Sequence, residues 1–149
     1  MRLALLANPE SGRGRAPEAE RLLREHGAEV RRFAIDDRGA ALDWGPERIA
    51  VAGGDGSIGC SAECAARAEV PLAVIPTGTA NDFARALELP FDLDAACRLA
   101  ATGSRLRSLE LAWLGDHPFV NAASLGLSPA AARRAHGIKR LLGPLAYSV

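Results

Sequence analysis

Apolar residues come in short packets along this chain, and most packets close on glycine, proline or a small polar residue. Leu3 to Ala7 is a continuous apolar run stopped by Asn8-Pro9, which suits a buried strand and is too short for a helix. Past the Gly/Arg loop Ser11 to Ala16, the periodicity changes: Ala19, Leu22 and Leu23 stand at helical spacing between Pro17 and His26, with Gly27 as the stop. Val30, Phe33 and Ile35 make a second strand, and Asp36 to Trp44 is weakly helical, ending at Gly45-Pro46. The same alternation repeats. Arg48 to Ala52 reads as the third strand, Ser57 to Ala68 as a helix, and Val70 to Ile75 as the fourth strand. A short helix near Asp82 to Glu88 and another over Asp92 to Ala101 follow, with Gly103 just beyond. Strands alternating with helices predict an α/β architecture, a parallel sheet with helices on both faces.

After Gly103 the texture changes. Leu106, Leu109, Leu111, Trp113 and Leu114 lead to Gly115-Asp116, and Phe119-Val120 to Leu125 follow, a pattern that predicts an antiparallel hairpin. We therefore expect two domains: residues 1–103 form the α/β unit, and 104–149 are the start of a β-rich second domain. The terminal apolar run Leu141 to Val149 has no polar tail, so that second domain is expected to be incomplete. Trp44 and Trp113 are expected in core or hinge packing.

Composition narrows the partners. With 18 basic and 18 acidic side chains in 149 residues the formal net charge is zero, which disfavours a nucleic-acid partner. The three cysteines, Cys60, Cys64 and Cys97, lack the spacing of a metal knuckle and are an odd number, so they read as reduced, core-facing thiols. The apolar start is too short for a signal peptide and no later segment approaches a membrane span. A cytoplasmic protein is the expectation.

Chemistry concentrates where strands end. Gly53-Gly54-Asp55-Gly56-Ser57 follows the third strand and Pro76-Thr77-Gly78-Thr79-Ala80-Asn81-Asp82 the fourth. Flanking glycines let the backbone approach an anion closely, Ser57 can cap the next helix, and that helix's first amides offer partial positive charge. Asp55 is the anomaly. A carboxylate in a phosphate turn is repelled unless a divalent cation intervenes, or unless it orients a donor. Thr77 and Thr79 offer hydroxyls beside Gly78, while Asn81 or Asp82 could be a plain helix cap. In a parallel sheet these turns share an edge with Asn8-Pro9-Glu10-Ser11-Gly12-Arg13-Gly14, and ligands of open α/β folds bind at that edge.

These stretches, in this order, resemble the diacylglycerol kinase catalytic domain family, which includes bacterial diacylglycerol kinases and sphingosine and ceramide kinases. Asn121-Ala122-Ala123-Ser124-Leu125-Gly126 is also similar to the stretch by which that family enters its second domain. The resemblance implies a three-layer Rossmann-like fold and an ATP-dependent kinase that moves the γ-phosphoryl group to a lipid hydroxyl, with ATP and Mg²⁺ as cofactors. Asn8, Ser11 and Gly12 would line the nucleotide, Gly53, Gly54, Asp55, Gly56 and Ser57 would hold its phosphates, and Thr77, Gly78, Thr79 and Asn81 would complete the pocket. Asp55 is the candidate for an acidic role at the metal and phosphate centre. The partners implied are ATP and a lipid at a membrane surface, with peripheral membrane attachment and homo-oligomerisation as further expectations. The basic patch Arg133, Arg134, Lys139 and Arg140 could help docking, although a solvated helix face explains it as well. The rival readings are an NAD-kinase-like enzyme, which shares the glycine turn, and a nucleotide-binding module that is inactive without the rest of the second domain.

Overall fold

The computed structural model describes residues 1–8 and 14–120. The basic patch, Ser11, Gly12 and the stretch 121–126 lie outside the described residues.

β1 (Arg2–Ala7), β2 (Glu29–Ala34), β3 (Arg48–Gly53) and β4 (Leu72–Pro76) form one sheet in the order β2-β1-β3-β4. Every pair in it is parallel, with Ala7 opposite Ala34 and Ala52, and Gly53 opposite Pro76. The two central strands, β1 and β3, are apolar on both faces because both faces are covered. Side chains alternate between two cores. Leu3, Leu5, Ala50 and Ala52 face α1 (Ala16–Glu25) and α5 (Leu93–Thr102), where they meet Ala19, Leu23, Ala96 and Cys97. Ala4, Leu6, Ile49 and Val51 face the other way, in one cluster with Ala41 of α2 (Arg38–Asp43), Ile58, Cys64 and Ala65 of α3 (Asp55–Arg67), and Phe83 of α4 (Asp82–Ala86). The result is the expected three-layer α/β fold. Each fully buried leucine in these layers contributes about 1.5–3 kcal/mol. The exposed pair Arg21–Glu25 at 2.5 Å contributes about 0.5 kcal/mol, so the fold rests on the two cores.

Helix ends follow local chemistry. Pro17 lies in the first turn of α1, and Gly27, at φ +88°, turns the chain out of its last. Asp92 caps α5 by accepting the Ala95 amide at 2.9 Å. At the other end of α5, Arg48 reaches across from β3 to donate to the carbonyls of Ala100 and Gly103. Burial lowers the Arg48 pKa from its ordinary value.

Three local expectations shift. Ile35 lies in the turn after β2: its amide still donates to Ala7 O, but the Asp37 amide already folds back onto Ala34 O at 2.9 Å. α3 starts at Asp55, two residues before the position expected, so the second half of the glycine turn is itself helical. The hairpin is shorter than its apolar pattern: β5 (Ala112–Leu114) and β6 (His117–Phe119) pair through Leu114 and His117, and residues 103–111 carry no regular structure. Gly115, at φ +58°, makes the tight loop between them. β6 lies on α3, where Pro118 and Phe119 fill the space that a Cβ on Gly59 would need. Val120 joins the core beneath. Trp44 packs on Phe33, as expected for a core residue, whereas Trp113 is half exposed, as are Leu109 and Leu114.

Candidate functional site

Parallel strands deliver their following loops to one edge, and here the register closes two of them onto each other. Since Gly53 and Pro76 are partners, the glycine turn and the threonine loop leave the sheet side by side, and the Thr77 amide donates to Gly53 O at 3.1 Å. Glycine is required at Gly78 and favoured at Gly54. A Cβ on Gly54 would lie 3.1 Å from Gly78 Cα, and one on Gly78 would collide with Gly54 Cα. Gly53 is buried, with the Ser57 hydroxyl where its side chain would be. At Gly78 no other residue type allows this backbone approach.

Asp55 closes the junction. One carboxylate oxygen accepts the Asp82 amide at 3.0 Å and the other the Phe83 amide at 2.9 Å. These are the first two amides of α4, so a residue of the glycine turn caps the helix that follows the threonine loop. The capping role expected of Asn81 or Asp82 therefore falls to Asp55. Its charge is compensated sideways by the positive end of α4, which answers how a carboxylate is tolerated in this turn. Ser57 is not a cap either: its hydroxyl donates to Gly54 O at 2.7 Å and braces the turn from inside. The first two amides of α4 are engaged by Asp55, and in the first turn of α3 the Ser57 amide donates to Gly54 O at 2.9 Å.

Asn81 occupies the N-cap position of α4 in left-handed geometry, φ +54° and ψ +45°, and donates from Nδ2 to Gly78 O at 2.9 Å. Thr77 and Asn81 are buried, while Thr79 and Gly56 are exposed on the rim. Asn8 follows Ala7, the partner of Ala52, and so stands on the same edge one strand away from Gly53. The structure thus brings together Gly53, Gly54, Asp55, Gly56, Ser57, Thr77, Gly78 and Asn81, with Asn8 flanking them.

Sequence reasoning missed two contributors. A cavity of about 260 Å³ opens on this edge between the ends of β1 and β2, lined by Asn8, Gly14, Pro17, Arg32, Phe33 and Ala34. Its signal was available, because a second parallel strand must end at the same edge as the first. Arg85 donates from Nε to Ala80 O at 3.1 Å and lies over the Phe91 ring at 4.8 Å, buttressing the threonine loop from outside. Nothing in its spacing marked it. Cys64 and Cys97 are buried free thiols and Cys60 is partly so, as core-facing residues should be. His26 ends α1 and meets Asp94 at 2.9 Å, well away from these loops. Among the described residues no three His, Cys, Asp or Glu side chains converge as a metal cage. Among them, too, no helix is long and apolar enough to cross a membrane.

A doubly covered parallel sheet whose β3 and β4 loops interlock through glycine defines a three-layer α/β protein. The chain belongs to the diacylglycerol kinase catalytic domain family, whose model matches residues 2–112. It is 36% identical over 150 residues to a Pseudomonas aeruginosa protein described as "Probable lipid kinase YegS-like", covering 99% of this chain and 46% of that protein. A Pseudomonas savastanoi protein of the same description is 38% identical over 112 residues, 73% of this chain and 36% of its own length. The chain therefore spans less than half the length of these curated relatives. A diacylglycerol kinase crystal structure from Bacillus anthracis superposes with a TM-score of 0.64 at 21% identity, covering 93% of this chain and 53% of that one, and shares the fold.

Proposed function

We propose that this chain is the nucleotide-gripping part of an ATP-dependent lipid kinase, which transfers the γ-phosphoryl group of ATP to a lipid hydroxyl. The observation that carries the reading is the interlock of Gly54 with Gly78, with Asp55 bound to the start of α4. Phosphoryl transfer asks for positioning and charge compensation more than for covalent chemistry by the protein. The triphosphate lies over Gly53 to Ser57, at the positive end of α3. The base end runs toward the cavity at β1 and β2, one to two strands from β3 and so about 5–10 Å away. Thr77 and Thr79 add hydroxyl donors, and Ser11 and Gly12 extend the site from the first loop. Magnesium binds through one or two carboxylates together with substrate phosphates, so no protein cage is needed and the ion arrives with the nucleotide. Bound there, it neutralises phosphate charge. Asp55 acts as a positioning residue that holds the two loops in register for the metal and phosphate centre.

The boundary near residue 104 fits this reading, with 104–149 opening a β-rich domain that bears on the acceptor side. A cytoplasmic protein that reaches its lipid at the membrane surface and serves phospholipid synthesis is the corresponding setting. Titration calorimetry of the 149-residue chain with ATP and magnesium should show saturable binding. ATP consumption should then be compared for this chain and for one extended past Val149, against diacylglycerol, sphingoid bases and NAD. No heat with ATP would sink the proposal, and turnover with NAD alone would replace the acceptor.

A further inference from the structure

α3 is poorly made at its start and well made afterwards. Its first two turns read Asp55-Gly56-Ser57-Ile58-Gly59-Cys60-Ser61, with two glycines, the poorest helix formers after proline, whereas Ala62, Ala65, Ala66 and the Glu63–Arg67 pair serve its second half. Hydroxyls compete with the helical ladder in the weak half as well: Ser57 Oγ donates to Gly54 O at 2.7 Å, and the fully buried Ser61 donates from Oγ to Ser57 O at 2.8 Å. The sequence pattern starts this helix at Ser57, so contacts from outside hold it from Asp55. Two such contacts stand on the weak stretch. Asp55 ties it to α4, and the β6 backbone lies on Gly59, with the Pro118 carbonyl where a Cβ would be and Phe119 Cα 3.3 Å from that position.

The hairpin in turn needs its seat. Its strands are three residues each, a pair that is marginal in water without something to pack on, and residues 103–111, which precede it, carry no regular structure. Seating the hairpin shields Gly59 from water and favours the helical state of the turns beneath. An anion over Gly53 to Ser57 favours the same state, because only the formed helix presents its positive end there. We infer that the first two turns of α3 are a two-state relay: a seated hairpin tightens anion binding at the glycine turn, and a bound anion tightens the hairpin. Two contacts that select one state help each other by the same factor. The inference rests on the nucleotide reading above and adds regulation to it, since the phosphate turn grips best when the β5–β6 hairpin is in place.

The test uses the 149-residue chain with magnesium and either tripolyphosphate or ATP. In wild type, saturating tripolyphosphate should slow amide exchange at His117 and Phe119 about five-fold. Gly115→Val strains the positive-φ turn of the hairpin, where a Cβ would meet nothing within 4 Å, and leaves α3 as it is. It should speed exchange at His117, Phe119 and Ile58 to Ser61, and calorimetry should show tripolyphosphate and ATP binding about five-fold more weakly. The matched control is Gly27→Val, which strains another positive-φ turn at the opposite edge of the sheet and should bind both as wild type does. Wild type that binds tripolyphosphate without change at His117 and Phe119 overturns the inference alone, and this measurement decides even if Gly115→Val does not fold. So does a Gly115→Val chain that exchanges faster at those amides yet binds as tightly as wild type, or an equal weakening in Gly27→Val. Wild type that binds neither ATP nor tripolyphosphate overturns the nucleotide reading and this inference with it.

Discussion

Asp55 shows how one side chain can answer two demands. Its carboxylate would oppose a phosphate if it faced outward, yet turned toward α4 it satisfies two amides and joins loops 27 and 28 residues apart in sequence. Asp55→Ala should therefore lower unfolding free energy by about 1–2 kcal/mol in urea denaturation and speed hydrogen exchange at the Asp82 and Phe83 amides. ATP binding should weaken at least ten-fold in the same variant. A side chain with a purely chemical role would leave stability and exchange untouched and abolish turnover only. Asp55→Asn, which keeps one acceptor oxygen, should fall between the two.

At the level of elements, α3 carries the informative contrast. Glycine inside a helix normally costs about 1 kcal/mol against alanine, so Gly59→Ala in an open helix would stabilise. Here its Cβ meets the Pro118 carbonyl and lies 3.3 Å from Phe119 Cα, and the sign should reverse: denaturation at equilibrium should show a loss, with faster exchange at residues 117–119. The strands and most helices were legible in the sequence because a sheet covered on both sides writes itself as short apolar runs, and its helices as stripes like Ala19, Leu22 and Leu23. The start of α3 was not. Ser57 has the composition of a cap, but whether it caps depends on a carbonyl three residues back, while the capping of α4 depends on Asp55 in another loop. Convergence of the loops could be foreseen from parallel topology; the glycine-on-glycine contact could not, since only register decides it.

For the molecule as a whole, the two cores set a limit at alkaline pH. Cys97, fully buried on α5 where it faces α1, has its thiol pushed from 9.0 up to about 12 by burial, reinforced by Asp94 and Glu18. The folded state thus keeps a proton that the unfolded chain releases. Stability from this group is complete below about pH 9 and is lost as pH rises toward 12. Urea midpoints measured between about pH 8 and pH 10.5 should decline, and Cys97→Ala, though less stable at neutral pH, should show a shallower decline. A parallel decline in both proteins would remove Cys97 as the cause. The seat of the hairpin carries the widest consequence. Gly59 stands one helical turn beyond Asp55, about 6 Å along the same rod. Whatever holds the hairpin from outside thereby also holds the rod that begins inside the glycine turn.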